Sequence, residues 1–320
     1  MKSLFDSGLG TGTKATYTHG VSAFSNFLLA TRLMHVSKIS HNLLLQFIAY
    51  LVSDRKLAYN TICVYINAVR DWLVSSGRRD PLDVSGTKLR IYKKFMQGVR
   101  RQTKSRRHYL HPFKKREMRL LLTTLPMCGF TKEMRVLLKA VLLTAYFGCL
   151  RVSEYSRTNT NSDTFLRTRD VKFIRDRRGK LSRVKLRLRR TKTTQFGSNT
   201  FVDLFPSNDI EYCPVEALYQ YSNLCRIIVD KNQAFFCSAS QPLTDSKFNR
   251  LLRTVIKCAG LDPARYSSHS LRAGGATVAA DNGTPSWVVQ RLGRWKSECY
   301  KIYIRSTKNS INIAQGKMSL

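Results

Sequence analysis

Apolar residues in the first 110 positions recur at intervals of three and four, which is the pattern of helices that each bury one face. Short polar stretches with glycine, proline or aspartate separate these runs, as at Asp80-Pro81, and are typical of turns. This part of the chain is therefore predicted to be all helical. The predicted helices are 21–28, with Thr16 and Thr18 as candidate N-caps, 43–51, a third from Thr61 to Gly77, and a basic helix from Gly86 to Gln102.

The pattern changes after Pro112. Between 170 and 205 apolar residues alternate with basic ones on either side of a turn sequence at 176–179, which predicts a β-hairpin followed by a third short strand at 201–205. Helical patterns surround this segment at 115–125, 133–147, 215–229, 245–258, 270–282 and 286–292. The sequence therefore predicts a mainly α fold with a small antiparallel β-sheet, which is an α+β class.

The charge of the chain indicates a partner. The 320 residues include 55 Lys and Arg against 20 Asp and Glu, a formal net charge of +35. A folded chain this basic is expected to bind a polyanion, and nucleic acid is the default one. Basic residues are dense at 100–107, which is predicted to be a linker that contacts DNA and could double as a nuclear localisation signal. The length predicts two domains, 1–107 with the linker at its end, and 108–320.

Several classes of chemistry have no support in the sequence. The eight cysteines lie scattered without a C-x-x-C pair, which indicates reduced thiols inside the cell rather than disulfides or a zinc site. The sequence has no phosphate-binding glycine loop and no H-E-x-x-H motif, so neither a cofactor nor a metal ion is expected. It also has no apolar run long enough for a membrane span or a signal peptide.

Five short motifs carry the candidate chemistry, which is displacement at a phosphodiester. Arginine forks can bind the non-bridging phosphate oxygens and stabilise the extra charge of the transition state. A tyrosine phenol can attack phosphorus and keep the bond energy in an ester, while a lysine can protonate the departing 5′-oxygen. The motifs are Leu150–Glu154, Thr191–Thr193, His269–Arg272, Gly293–Trp295 and Tyr303–Arg305.

In this order the motifs resemble those of the tyrosine recombinase (phage integrase) family, and most of all those of recombinases from eukaryotic mobile elements of the DIRS and Crypton kind. The resemblance covers nearly the whole chain. It implies a helical core-binding domain at 1–107 and a catalytic domain at 108–320 that ends in an exchange tail. The implied catalytic residues are Arg151, Lys192, His269, Arg272, Trp295 and Tyr303, with Glu154 in support, and the candidate DNA-binding residues are Arg100, Arg101, Lys104, Arg106, Arg107, Arg189 and Arg190.

Two assignments stay open at this level. Tyr300 and Tyr303 are three residues apart, so both would share a helix face, and the Tyr-Ile-Arg ending favours Tyr303 as the nucleophile. Lys180 and Lys185 compete with Lys192 as the lysine of the hairpin, because that segment is basic throughout.

The resemblance implies site-specific recombination or integration through a 3′-phosphotyrosyl intermediate, without metal or ATP. The implied partners are double-stranded DNA and further copies of the chain in a homo-tetramer on DNA, with no membrane and no small-molecule substrate. We therefore expect an intracellular protein that works where DNA lies, in the nucleus if the host is eukaryotic. Two alternatives are DNA relaxation like that of a type IB topoisomerase, and a domesticated DNA-binding protein that kept the fold without catalysis.

Overall fold

A computed structural model of the chain describes residues 8–34, 38–103, 110–158, 164–189, 200–224, 231–238, 241–303 and 316. These residues belong to two compact units, Met1–Arg107 and His108–Leu320. The described residues are mainly helical and include two small antiparallel sheets, so the predicted fold class is confirmed.

The described residues of the first unit form helices that are joined by turns and loops. Phe24 and Phe47 meet edge to face with ring centroids 4.9 Å apart. At Gly20 two helices lie so close that an added Cβ would come within 2.8 Å of the Cβ of Ala68. Burial of these apolar side chains gives the unit a core of its own. Its helices are α1 (Thr11–Ala30), α2 (His41–Ser53), α3 (Tyr59–Ser75) and α4 (Gly86–Gln102).

The predicted N-caps of the first helix are wrong. Because α1 begins at Thr11, Thr16 and Thr18 lie inside the helix. Their hydroxyls donate to the carbonyls four residues earlier, those of Gly12 at 2.9 Å and Lys14 at 3.0 Å. A threonine that bonds in this way fits within a helix, so its presence in the sequence does not by itself mark an N-terminus.

The predicted linker overlaps a helix. Arg100 and Arg101 form part of the last turn of α4, and both are exposed. Cations are favourable there because the carbonyl end of a helix carries a partial negative charge. Lys104, Arg106 and Arg107 lie outside the described residues, and their role on DNA stays a prediction.

The second unit surrounds α6, most of whose residues are buried. A three-stranded antiparallel sheet in the order β1-β2-β3 covers part of the core, and Val184, Leu186 and Leu188 of β2 face inward. The elements are α5 (Lys115–Thr124), α6 (Lys132–Phe147), α7 (Val152–Tyr155), β1 (Val171–Arg175), β2 (Leu181–Leu188), β3 (Thr200–Leu204), α8 (Pro214–Leu224), β4 (Cys237–Ser238), β5 (Gln241–Pro242), α9 (Asp245–Cys258), α10 (Ser268–Asp281) and α11 (Ser286–Gly293).

The predicted hairpin is confirmed. The Asp176 carboxylate accepts from the backbone N–H groups of Arg178 and Lys180, both at 2.9 Å, and Gly179 takes a positive φ of 78° in the turn. The next connection, between β2 and β3, contains Arg190 and Lys192, and both lie outside the described residues.

Candidate active site

The end of α6 places Arg151. The chain leaves the helix through Gly148 and Cys149, and Cys149 has a left-handed φ of 43°. Arg151 then stands immediately before α7, and the Glu154 carboxylate accepts from both its backbone N–H and its Nη1, each at 2.9 Å. Because Glu154 is only 1% exposed, its carboxylate needs these partners and holds the Arg151 side chain in one position.

The start of α10 places His269 and Arg272. Ser267 caps the helix by accepting from the His269 backbone N–H at 3.2 Å. Two glycines then let the helix approach its neighbours closely. An added Cβ would lie 2.0 Å from the Phe113 carbonyl oxygen at Gly274, and 2.3 Å from the Tyr146 carbonyl oxygen at Gly275. This close packing brings the face that carries His269 and Arg272 against the end of α6.

Arg272 lies at the floor of the site and is only 1% exposed. Its two amino groups donate to the carbonyls of Cys149 and Gly293, and its guanidinium carbon lies 4.4 Å from the centroid of the Trp295 ring. Burial, together with the nearby positive charge of Arg151, lowers the pKa of Arg272 to about 10, so it stays charged at neutral pH. An arginine has five N–H donors, so the two carbonyl bonds leave others for a phosphate.

Trp295 turns back over Arg272 because Gly293 precedes it. A Cβ on Gly293 would lie 1.7 Å from the Trp295 ring, so another residue would displace the indole. The ring then packs between Arg272 and Tyr303, whose ring centroid lies 5.4 Å from that of the indole. The structure thus brings Trp295 into the site as a packing partner of Arg272 and of both candidate tyrosines.

The two candidate tyrosines occupy different surroundings in the 3₁₀ helix Glu298–Tyr303. The hydroxyl of Tyr303 lies 2.8 Å from Nε2 of His269. Tyr300 instead is buried in an apolar cluster with Cys149 and Val289. The geometry therefore favours Tyr303 as the nucleophile.

The pKa shifts of His269 and Tyr303 set the protonation states of this pair at rest. Burial first, and then the positive charges of Arg272 and Arg151, lower the pKa of His269 below its ordinary 6.5. Burial raises the pKa of Tyr303, although Arg272 partly offsets that shift. At neutral pH the pair is therefore a neutral imidazole and a neutral phenol, and the imidazole can accept the phenol proton.

Arg189, predicted to contact DNA, is held inside the protein. Its Nε lies 3.0 Å from Oδ2 of Asp170, and its side chain is 13% exposed. Arg187 pairs with the other oxygen of the same buried carboxylate at 2.8 Å. These bonds anchor the end of β2, from which the connection that contains Lys192 leaves.

Sequence reasoning assigned no role to several residues that build the site. Arg294 was part of a motif, yet its inward position is not visible in any local pattern. The pair Gly274-Gly275 within a helical stretch was a signal, because glycine inside a helix often marks a close approach. Among the described residues no group of His, Cys, Asp and Glu could hold a metal ion, and none of the described helices is long and apolar enough to cross a membrane.

The chain belongs to the phage integrase family, whose family model matches residues 113–310. A comparison with curated proteins finds no match. Solved structures share the fold at low identity. They include the XerH site-specific recombinase bound to palindromic difH substrate in a post-cleavage complex, with a TM-score of 0.68, 14% identity, and coverage of 94% of this chain and 78% of that chain.

Two further structures cover most of the chain. The Tn1549 transposon integrase in complex with transposon right end DNA has a TM-score of 0.60 and 14% identity, covering 100% of this chain and 99% of that chain. A lambda integrase dimer bound to a COC′ core site has a TM-score of 0.58 and 14% identity, covering 95% and 74%. At these identities the likeness shows the fold, which is that of tyrosine recombinases.

Proposed function

We propose that this protein is a site-specific DNA recombinase or integrase that breaks and rejoins DNA through a 3′-phosphotyrosyl intermediate. The observation that carries the proposal is the 2.8 Å contact between the Tyr303 hydroxyl and Nε2 of His269. That contact lies beside Arg272, and Arg272 shares the end of α6 with Arg151. A nucleophile, a proton acceptor and two cations thus meet in one place, although they come from distant parts of the sequence.

Phosphate binding is the first step. The non-bridging oxygens of a scissile phosphate carry negative charge, which grows in the transition state. Arg151 and Arg272 offer fixed positive charge and N–H donors, and both are held by protein acceptors before DNA arrives. Donors that are already oriented need no reorganisation during the reaction, which is the main source of electrostatic catalysis. The guanidinium groups can therefore do the work that a metal ion does in other enzymes.

Cleavage follows by in-line attack. The Tyr303 oxygen forms a bond to phosphorus, its proton passes to Nε2 of His269, and the bond from phosphorus to the 5′-oxygen breaks. The 5′-oxygen leaves as a hydroxyl after taking a proton from Lys192, which we assign as the general acid on the resemblance of its motif. The DNA 3′-phosphate is then esterified to Tyr303. Attack by a 5′-hydroxyl on this ester reverses each transfer, so rejoining uses the energy of the ester and needs no ATP.

The type of genetic element and the active assembly are proposed by analogy with proteins that share the fold. The Tn1549 protein is a transposon integrase and the lambda integrase structure is a dimer on a core site. By analogy we assign this chain to a mobile element of the DIRS or Crypton kind, on motif resemblance, with double-stranded DNA and a homo-tetramer of the chain as the active assembly. The first unit would bind DNA as a core-binding domain, in the nucleus if the host is eukaryotic.

The decisive experiment traps the covalent intermediate. A suicide DNA substrate, which after cleavage releases a short fragment that carries the new 5′-hydroxyl, is incubated with the full chain in EDTA, and the products are run on a denaturing gel. We expect a protein–DNA band with the wild type and with Tyr300→Phe. Tyr303→Phe should give no band, because it lacks the oxygen that becomes the ester, while it still binds DNA in a mobility-shift assay.

Other outcomes would change the proposal in a defined way. A band that requires Mg²⁺ would show a different reaction class, and a band with Tyr303→Phe but not with Tyr300→Phe would make Tyr300 the nucleophile. A wild type that binds DNA without any covalent band would support the domesticated, non-catalytic alternative. If the band forms, exchange of strands between two DNA duplexes separates a recombinase from relaxation of the topoisomerase kind.

A further inference from the structure

Arg294 follows the last residue of α11 in a conformation that arginine adopts rarely. Its φ is 56°, in the left-handed region where a helix normally places glycine. Glycine is present one position earlier, at 293, where it makes room for the Trp295 ring. A strained backbone at a residue with a side chain persists only when surrounding contacts hold it, and such strain is concentrated at functional sites.

The contacts that hold Arg294 occupy both amino groups of its guanidinium. Its side chain is 10% exposed. Nη1 donates to the carbonyl oxygens of Gly148 at 2.9 Å and Leu292 at 3.0 Å. Nη2 donates to the Cys149 carbonyl oxygen and to Oε2 of Glu154, both at 3.0 Å. All four hydrogens of the two amino groups thus have acceptors inside the protein, so the fork is not available to a phosphate.

Two of these acceptors, the Glu154 carboxylate and the Cys149 carbonyl, also bind an arginine that is proposed to contact the phosphate. Glu154 uses its other oxygen to hold Nη1 of Arg151 at 2.9 Å. The Cys149 carbonyl accepts from Nη1 of Arg272 as well as from Arg294. The buried guanidinium of Arg294 is therefore hydrogen-bonded directly to the acceptor that holds Arg151 and to an acceptor that holds Arg272.

We infer that Arg294 is a positioning residue that holds Arg151 and Arg272 at their places on the scissile phosphate, through Glu154 and the Cys149 carbonyl. This inference rests on the proposed function. Without Arg294 the Glu154 carboxylate would be left with Arg151 as its one side-chain partner and would draw that guanidinium inward, away from DNA. The Cys149 carbonyl would also lose one of its two donors. The backbone at the end of α6, which accepts from Arg272, would then be held less firmly in place.

The test compares two DNA substrates. One is the suicide substrate described above, and the other has a neutral methylphosphonate in place of the scissile phosphate. Because the neutral group needs less positive charge for its transition state, a variant with misplaced arginines should lose more rate on the phosphate than on the methylphosphonate. We expect Arg294→Ala to cleave the phosphate about 10–100-fold more slowly than the wild type, as is typical when a supporting partner of a site is removed. The ratio of the two rates should shift in the same direction as in Arg151→Ala.

Two controls separate this role from charge and from folding. Arg291→Ala removes the same charge from an exposed position on α11 and should leave the rates and their ratio unchanged. DNA affinity of Arg294→Ala should stay within about twofold of wild type, because its fork does not face the phosphate. If circular dichroism shows that Arg294→Ala is unfolded, Arg294→Lys provides the same comparison, because it keeps the charge but cannot reach four acceptors.

The outcomes are distinct. A folded Arg294 variant that cleaves both substrates at wild-type rates, or slows on both equally, overturns the positioning role while the proposed function stands. A wild type that forms no covalent product on either substrate overturns the proposed function itself, and the inference with it. A loss of DNA affinity equal to the loss of rate would show instead that Arg294 contacts DNA.

Discussion

Three guanidinium groups lie close together at the centre of the site, and two of them pair with the same carboxylate. Arg151 and Arg294 both pair with Glu154, and Arg272 is held by backbone carbonyls rather than by an acid. Burying this excess of positive charge is unfavourable, and it lowers the pKa of Arg272 to about 10. An anion bound between the arginines would relieve that cost. Relief of this cost would make phosphate binding more favourable.

The lowered pKa of His269 predicts the pH dependence of cleavage. In the proposed mechanism the imidazole accepts the phenol proton only in its neutral form, so the rate should fall as pH drops through the pKa of His269 and should reach a plateau near neutral pH. When the protein is subsaturating, the pH dependence of the rate reports pKa values of the free protein. The midpoint of the fall in rate should therefore lie below pH 6.5. His269→Gln should be slow and should lack this acid limb. A midpoint above 6.5 would contradict the role of burial and of the neighbouring arginines.

A second prediction at this scale concerns Lys192. Lys192→Ala should bind DNA nearly normally and cleave about 10²–10⁴-fold more slowly, because the 5′-oxygen would leave without a proton. A substrate with sulfur at the 5′-bridging position has a leaving group that needs no proton, so it should restore cleavage by this variant in the same gel assay. Arg151→Ala and Tyr303→Phe should stay inactive on it. Rescue of Lys185→Ala instead of Lys192→Ala would move the general acid to Lys185.

At the scale of elements, the packing of α10 on α6 decides the geometry of the site. Gly275→Ala would place a methyl group 2.3 Å from the Tyr146 carbonyl oxygen and 3.0 Å from the Cys149 sulfur. Neither neighbour can yield easily, since one is backbone and the other is buried, so we expect a loss of about 1–3 kcal/mol in the free energy of unfolding. Cleavage should slow as well, because His269 and Arg272 move with the helix.

The matched control is Gly98→Ala on α4, where an added Cβ meets nothing within 4 Å. This exposed helical position should gain stability by about 0.5–1 kcal/mol, because alanine loses less backbone entropy than glycine in a helix. Urea unfolding of the full chain measures both variants. Equal stability of Gly275→Ala and wild type would mean that α10 can shift away from α6 at no cost.

The elements themselves were largely predictable, because their signals are local. The bounds of the basic helix Gly86–Gln102 agree with the prediction, and the hairpin around Asp176 and Gly179 has the predicted turn. The beginning of α1 was missed by several residues, since its first turns are mostly exposed and have no apolar periodicity. Where the first turns of a helix bury no apolar side chains, the sequence has no hydrophobic periodicity from which the start of the helix could be predicted.

At the scale of the whole molecule, the charge of +35 predicts strongly salt-dependent DNA binding. Each phosphate that the protein neutralises releases counterions and adds about −0.9 to the slope of log K against log salt concentration. We expect a steep slope in a titration from low to physiological salt. The double variant Arg100→Gln, Arg101→Gln should make the slope shallower by about two, because both side chains are exposed on α4. A wild-type slope near zero would contradict DNA binding through phosphates.

The sequence by itself determined most of the secondary structure, the excess of positive charge and the order of the motifs. Each of these is local, since hydrophobic periodicity, turn residues and charge depend on neighbours within a few positions. The spacing of His269 and Arg272 also placed both on one helix face without any knowledge of the fold.

Only the tertiary structure decided which residues meet. Arg272 bonds to a carbonyl 123 positions earlier, and Arg294 reaches Glu154 across 140 positions. The choice between Tyr300 and Tyr303 also depended on packing, because both rings contact Trp295 but only the hydroxyl of Tyr303 is placed against His269. Contacts of this kind are set by how side chains from distant segments fill one interior, and no local pattern encodes that.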